Sequence, residues 1–220
     1  EVIAGPDETG AGGIRFEDRA TAAGVEFTYF NSPDPSTQGA LMFEYTGGGV
    51  AVLDYDRDGW PDLYFTQGCP WPVVEGGDPE YHDRLYRNRG DGTFVDVTET
   101  TGLGDGHFSQ GAAVGDFDQD GWPDLYVANM FSAAGSRITT QEQFKTGTRA
   151  EIRDRFRRFA RGNTLFRNTG KGFEDVSVQA GVTLGRWAWS SNFVDLNNDA
   201  WPDLVVANGY LSSDSDSGDL

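Results

Sequence analysis

One ten-residue stretch occurs three times and constrains the fold more than any other feature. The first copy is Asp54-Tyr55-Asp56-Arg57-Asp58-Gly59-Trp60-Pro61-Asp62-Leu63, and the second is Asp116-Phe117-Asp118-Gln119-Asp120-Gly121-Trp122-Pro123-Asp124-Leu125. The third reads Asp195-Leu196-Asn197-Asn198-Asp199-Ala200-Trp201-Pro202-Asp203-Leu204. Carboxylates, or in one place an amide, fall at the first, third, fifth and ninth positions. Alternate residues of a tight turn can aim oxygens at one centre, and hard oxygen ligands in that number suit calcium. Packed together without a cation, the carboxylates would repel one another. A single copy could be a solvated acidic turn. Three copies with the same Trp-Pro-Asp-Leu ending point to a ligand set instead.

The helical calcium hand shares the Asp-x-Asp-x-Asp-Gly opening, but it needs a bidentate Glu at position twelve and flanking helices. Here Phe65, Val127 and Val206 hold that position. The flanks are Gly49-Val50-Ala51-Val52-Leu53 on one side and Leu63-Tyr64-Phe65 or Leu125-Tyr126-Val127 on the other. Such short β-branched and aromatic runs predict strands, so the loop joins two strands. The expected ligands are Asp54, Asp56, Asp58 and Asp62 with the Trp60 carbonyl, then Asp116, Asp118, Asp120 and Asp124 with the Trp122 carbonyl. The third set is Asp195, Asn197, Asp199 and Asp203 with the Trp201 carbonyl. The expected cofactor is therefore Ca2+, about three ions in all, one per loop. The ions are expected to be structural, because each loop supplies enough ligands to close the shell. Proline at position eight holds the preceding tryptophan extended. The third site should be the weakest, since Asn197 replaces a carboxylate and Ala200 replaces the loop glycine, which disfavours a positive φ.

A second pattern recurs around the loops. Phe16-Glu17-Asp18-Arg19-Ala20 leads to Ala23-Gly24-Val25, Phe94-Val95-Asp96-Val97-Thr98 to Thr101-Gly102-Leu103, and Phe173-Glu174-Asp175-Val176-Ser177 to Ala180-Gly181-Val182. Asp83-Arg84-Leu85-Tyr86-Arg87-Asn88 and Asn163-Thr164-Leu165-Phe166-Arg167-Asn168 precede the last two. Asn88-Arg89-Gly90-Asp91-Gly92 and Asn168-Thr169-Gly170-Lys171-Gly172 look like hairpin turns. One unit is then a strand, an acidic loop, a strand, a linker, a Leu-aromatic-Arg-Asn strand, a glycine turn and a Phe-x-Asp strand. Four-stranded repeats arranged radially are propeller blades. The expected fold class is all-β: a single partial β-propeller domain over 1–220 with one inserted α-helix. Its units are a last strand at 14–20, full units at 48–98 and 110–177, and first strands at 188–208.

These residues resemble the FG-GAP/VCBS-repeat β-propellers, which also form integrin α-subunit heads. More narrowly, the chain resembles bacterial relatives of the cartilage acidic protein family, often associated with an ASPIC/UnbV region. The resemblance rests on Gly47-Gly48-Gly49-Val50-Ala51-Val52-Leu53-Asp54, Leu85-Tyr86-Arg87-Asn88, Phe94-Val95-Asp96-Val97-Thr98 and Val206-Ala207-Asn208-Gly209, and covers Ile14 to Gly209. It implies a calcium-binding repeat protein. For function it is less specific, because the same repeat serves adhesion, protein and sugar binding, and lyase scaffolds. Propellers usually have four to eight blades, so another chain or the rest of a longer polypeptide is expected to complete the ring.

The remaining composition bounds the partners. A net charge of −18 argues against nucleic acid and fits several bound divalent cations. Cys69 is the only cysteine, which excludes an internal disulfide and a zinc cluster. No apolar run is long enough for a membrane span. The first residue is Glu1 rather than Met, so a mature or excised segment of an exported protein is expected, placed outside the cell, at its surface or in the periplasm.

Residues 148–161 have an amphipathic pattern, with Thr148 and Glu151 as a capping box, Ile152, Phe156, Phe159 and Ala160 on one face, and Gly162 at the stop. Lys145, Arg149, Arg153, Arg155, Arg157, Arg158 and Arg161 make this stretch net positive against Glu151 and Asp154. It is either a helix packed on the propeller with its arginines paired, or a docking site for an acidic partner or anionic glycan. No Gly-x-Ser-x-Gly, phosphate-binding loop or dinucleotide fingerprint is present. Glu80-Tyr81-His82-Asp83-Arg84 groups acid, base and cation types in one loop, and Trp71, Trp187 and Trp189 could stack on sugar rings or fill gaps between blades. The leading expectation is a binding or assembly module, and the alternative is part of a polysaccharide-active lyase or hydrolase.

Overall fold

A computed structural model of the chain describes residues 15–31, 47–70, 79–129 except 105 and 107, 160–185 and 188–208, with isolated positions between 139 and 157. The first sheet contains β1 (Val50–Leu53), β2 (Asp62–Phe65), β3 (Arg84–Asn88) and β4 (Phe94–Asp96), in that order and all antiparallel. A short helix, α1 (Thr98–Thr101), follows. The second sheet repeats the plan with β5 (Ser109–Gly115), β6 (Asp124–Asn129), β7 (Thr164–Asn168) and β8 (Phe173–Asp175). A third pair, β9 (Ala188–Val194) and β10 (Asp203–Asn208), is also antiparallel. The chain is thus nearly all-β, built from four-stranded sheets of the propeller-blade type. The described residues show two such sheets and one strand pair, not a closed ring.

The register explains why the acidic loops share one end of the structure. Leu53 pairs with Asp62, Gly115 with Asp124, and Val194 with Asp203, so each loop closes the hairpin between the first two strands. The first strands lie side by side, and glycine makes that approach possible. A Cβ on Gly49 would stand 2.8 Å from the Gln110 carbonyl oxygen, and one on Gly111 would stand 2.8 Å from that of Trp189. The two glycines and Ser190 each lie five residues before the first loop aspartate, so the contact repeats from blade to blade.

Between the two sheets lies one apolar core. Ala51, Leu53, Tyr64, Leu85 and Leu103 on one side meet Leu125, Val127, Phe166 and Phe173 on the other. Tyr126 continues the packing with an edge-to-face contact to Phe193 of β9, ring centroids 6.4 Å apart. Burying a large side chain of this kind contributes about 1.5–3 kcal/mol.

The Phe-x-Asp pattern also becomes a repeated turn. Asp96 Oδ1 accepts the Thr98 N–H at 2.9 Å, and Asp175 Oδ1 accepts that of Ser177 at 3.1 Å. The turns then close through Leu103 N–H to Thr98 O at 3.1 Å and Val182 N–H to Ser177 O at 3.1 Å.

The first copy of this pattern needs a correction. Residues 15–19 form no strand, against the expectation of a last strand at 14–20, and Phe16 is 96% exposed. β4 and β8 are strands because β3 and β7 supply ladder partners, and no such neighbour lies beside residues 15–19 among the described residues. Only the local part of the motif survives. Asp18 Oδ1 accepts the Ala20 N–H at 3.0 Å, and Val25 N–H reaches Ala20 O at 2.9 Å. This turn still docks on the blade, with Phe94 N–H donating to Ala23 O at 2.7 Å. Beyond it, Phe27 stacks on Phe65 at 4.9 Å and Tyr86 donates its hydroxyl to Glu26 O at 2.6 Å. A segment with no regular structure therefore covers the outer flank of the first sheet.

In the inserted stretch Ala150, Arg153, Asp154 and Arg157 are helical, and Gly162 follows with φ 111°. Thr148, Glu151, Ile152, Phe156 and Phe159 lie outside the described residues. No helix among the described residues is long and apolar enough to cross a membrane.

The glycine contacts predict that Gly111→Ala, which drives a Cβ into a neighbouring backbone, will cost about 1–3 kcal/mol of unfolding free energy in a urea titration. Gly47→Ala has nothing within 4 Å and should stay within about 0.5 kcal/mol of the parent. Equal stability of the two variants would show that the inner strands are not held at this spacing.

Candidate metal centres

Each acidic loop folds on its own first and ninth aspartates. In the first loop Asp54 Oδ1 accepts the Asp58 N–H at 3.0 Å and Oδ2 accepts that of Gly59 at 2.9 Å. In the second Asp116 Oδ2 accepts the Gly121 N–H at 3.0 Å, and in the third Asp195 takes both the Asp199 and Ala200 N–H groups at 3.1 and 2.9 Å. At the ninth position Asp62 Oδ2 accepts the Tyr55 N–H at 3.0 Å and Oδ1 accepts the Asn88 N–H at 2.8 Å. Asp124 repeats this with Phe117 and Asn168, at 3.0 and 2.8 Å. Asp62 and Asp124 are fully buried, and burial pushes both carboxyls up to about 6 against the pull of those backbone N–H groups.

The loops need left-handed backbone at positions four and six. Arg57, Gln119 and Asn198 have φ of 58°, 59° and 59°, and Gly59 and Gly121 have 90° and 89°. Ala200 adopts φ 69° at the position where the other loops use glycine. The third loop therefore keeps the same backbone form and carries strain of about 1–2 kcal/mol instead of relaxing into another turn.

Carboxylate oxygens converge in two of the loops. Oxygens of Asp54, Asp56 and Asp62 lie within 4.8 Å of one another, as do those of Asp116, Asp118 and Asp120. Asp58 and Asp124 are not members of these two groups, and Asp195, Asp199 and Asp203 of the third loop form no such group. Asp56 Oδ1 and Asp116 Oδ1 are buried and accept no hydrogen bond. A buried carboxylate oxygen without a donor costs free energy, and a cation at the cluster would offset that cost. The two clusters could therefore hold a metal ion, and their all-oxygen donor sets fit a hard cation.

Two neighbours of the loops carry no signal in the acidic motif itself. Arg87 of β3 donates from Nε to Asp56 Oδ2 at 2.5 Å and from Nη2 to Asp58 Oδ2 at 2.7 Å. Arg167 of β7 pairs its Nε with Asp118 Oδ2 at 2.6 Å and donates from Nη2 to Asp120 Oδ2 at 3.0 Å. The Leu-aromatic-Arg-Asn repeat was the signal available for them. The loops also touch each other through position four. The Arg57 guanidinium lies 5.3 Å from the centre of the Trp122 ring, and Gln119 Nε2 donates to Ala200 O at 2.6 Å.

The other candidates lie apart from these clusters. His82 Nδ1 stands 3.1 Å from Glu99 Oε1, and Arg84 reaches Pro79 O at 2.5 Å and Asp96 at 3.5 Å. Trp189 is on β9 and 37% exposed, whereas Trp71 and Trp187 lie outside the described residues. From the arginine-rich stretch, Arg157 pairs with Asp154 at 3.0 Å and Arg161 with Asp175 of β8 at 2.6 Å.

The strain at Ala200 yields a direct test. Ala200→Gly removes the left-handed penalty but adds the chain entropy of glycine, for a net gain of about 0.5–1 kcal/mol in unfolding free energy. A loss of stability in the same urea titration would mean that Ala200 is not strained.

Comparison with known proteins agrees with this architecture. The FG-GAP-like repeat family matches residues 73–127 and 154–206. Cartilage acidic protein 1 of Homo sapiens is 46% identical over 92 residues, which is 41% of this chain. Cartilage acidic protein 1 of Xenopus tropicalis is 35% identical over 88 residues, which is 39% of this chain. Either match spans 12% of the relative's own length. With the four-stranded sheets and the loops between their first strands, these matches show that the chain carries FG-GAP-like repeats and has homology to cartilage acidic protein 1.

Proposed function

We propose that this chain is a calcium-binding propeller segment of an exported protein, working as a module for protein or glycan binding or for assembly. The single observation behind the calcium reading is the pair of oxygen clusters with a buried, donorless oxygen in each, Asp56 Oδ1 and Asp116 Oδ1. Asp54, Asp56, Asp58 and Asp62 with the Trp60 carbonyl would hold one ion. Asp116, Asp118, Asp120 and Asp124 with the Trp122 carbonyl would hold a second. Asp195, Asn197, Asp199 and Asp203 with the Trp201 carbonyl would hold a third, less tightly. Bound calcium would neutralise carboxylates that otherwise face one another, so its role is to stabilise the loops and the blades that meet through them.

The third strand pair supports the assembly part of the proposal. β10 is half-buried to exposed along its length, whereas β6, its counterpart in the second blade, is buried at every residue. Val205 is 40% exposed on that strand, and Leu196 and Trp201 of its loop are 66% and 52% exposed. Among the described residues β10 pairs with β9 alone, and an unpaired sheet edge beside apolar surface invites pairing. The occupant proposed is the remainder of a longer polypeptide or a second protein chain that completes the ring.

Two measurements check these statements. Excess chelator should lower the melting temperature, since ligand linkage supplies about 2.7 kcal/mol per site at a hundredfold excess over Kd. Within that experiment Asp120→Ala should cost more calcium affinity than Asp199→Ala. An unchanged melting temperature would sink the calcium assignment, and a tightest third site would reverse the ranking. For assembly, light scattering on the isolated, calcium-loaded chain should report association. A well-folded species that stays near 24.0 kDa at every concentration would contradict the open-edge proposal.

A further inference from the structure

The arginines of the third strands occupy a specific place relative to the clusters. Arg87 takes the Oδ2 atoms of Asp56 and Asp58, and Asp56 Oδ1 is left buried without a donor. Arg167 takes the Oδ2 atoms of Asp118 and Asp120. In both blades one guanidinium therefore spans the carboxylates at loop positions three and five. The next residue completes the grip on position nine, because Asn88 N–H and Asn168 N–H hold Oδ1 of Asp62 and Asp124. The asparagine side chains add bonds to the loops, Asn88 Nδ2 to Pro61 O at 3.0 Å and Asn168 Nδ2 to Pro123 O at 3.2 Å. One Arg-Asn dipeptide on the third strand thus touches the third, fifth, eighth and ninth residues of the loop between the first two strands.

We propose that Arg87 and Arg167 are positioning residues of the cation sites: each guanidinium spans two loop aspartates and so holds the cluster members among them, Asp56 in the first loop and Asp118 and Asp120 in the second, in their converged places. This rests on the calcium reading above. Two effects of the arginine oppose each other. Its positive charge repels a nearby cation, which weakens binding. Its fork fixes two carboxylates at a set spacing, which spares the ion the cost of ordering them. The half-exposed position of both arginines, with side chains 38% and 40% accessible, lets water screen the repulsion, while the geometric constraint is not screened. Partners that orient metal ligands from outside commonly change affinity by about 10–100-fold. The loop site is therefore a property of the whole blade: the hairpin supplies the oxygens and the third strand sets their spacing.

The test uses the full chain. Calcium titration calorimetry and melting in chelator and in calcium are compared for the parent, Arg87→Met, Arg87→Lys and Arg167→Met. Arg87→Met should weaken one calcium site about 10–100-fold, leave the others in place, and shrink the rise in melting temperature that calcium produces. Arg87→Lys keeps the charge but not the fork, so it should lose affinity rather than restore it. Arg167→Met should do the same at a second site, and it carries the test if Arg87→Met fails to fold. Calcium affinity unchanged or increased in the Met variants overturns the proposal, making the arginine a bystander or a competitor. Equal losses of melting temperature with and without calcium, at unchanged affinity, overturn it as well and assign a merely structural role. If the parent chain itself takes up no calcium, the calcium reading falls and this inference with it. A parent that binds, with variants that bind equally, removes this inference alone.

Discussion

One buried carboxylate ties each blade to its loop. Asp62 and Asp124 bury completely, and each accepts one N–H from the second residue of its own loop and one from the third strand. Hydrogen bonds to a charged group are worth about 1.5–3 kcal/mol each, enough to make the loop conformation and the β2–β3 or β6–β7 register interdependent. If the third strand slipped by one residue, its faces would invert and the Asn N–H would leave the carboxylate. The Trp-Pro-Asp-Leu ending follows from this constraint. Aspartate starts the strand and anchors it, leucine follows, and the Trp60 and Trp122 indoles lie against Gly90 and Gly170 of the hairpin turns in the same blades.

The same loops also connect one blade to the next. Position four is left-handed in every loop, an unfavourable conformation for arginine or glutamine, and in the first two loops its side chain contacts the following loop. The turn ending at Gly24 adds a contact to the outer strand of the first sheet, with the Ala23 carbonyl accepting the N–H of Phe94. Along the inner strands, Gly49 and Gly111 set the distance between blades. Blade spacing is thus controlled by two different kinds of contact, between the loops and along the inner strands.

The blade plan was legible in the sequence because it depends on short-range periodicity. Alternating apolar strands, turn glycines and the recurring acidic loop each act within one blade, so their spacing alone predicts the sheets. What stayed illegible depends on neighbours. Residues 15–19 repeat the Phe-x-Asp pattern yet form no strand, because a strand needs a ladder partner that the motif does not contain. Asp83 and Asn163 open the Arg-Asn strand motif without any evident role, but both are buried polar pins. Asp83 binds the Tyr64 hydroxyl, the Gln67 N–H and the Ser109 hydroxyl at 2.6, 2.6 and 2.9 Å. Asn163 meets the Tyr126 hydroxyl and the Asn129 N–H, both at 2.9 Å. A one-dimensional pattern shows that these residues recur, but only the fold shows what they face. The arginines at 87 and 167 are the same case: the sequence places them in a repeated strand, and the fold sets them against the loop.

The third loop separates what a loop encodes by itself from what the blade adds. It has lost its glycine and one carboxylate, yet Ala200 still takes the left-handed conformation and Asp195 still collects two backbone N–H groups. Two charge-assisted bonds are worth more than the strain of about 1–2 kcal/mol at Ala200, so the turn survives the substitution. Asp203 likewise keeps its bond from the Leu196 N–H at 3.0 Å. Asp203, unlike Asp62 and Asp124, is only half-buried, and no arginine spans Asn197 and Asp199 among the described residues. The carboxylate convergence present in the first two loops is missing in the third as well. Backbone shape therefore belongs to the loop, whereas burial of the anchoring carboxylate and convergence of the ligand oxygens accompany the third strand.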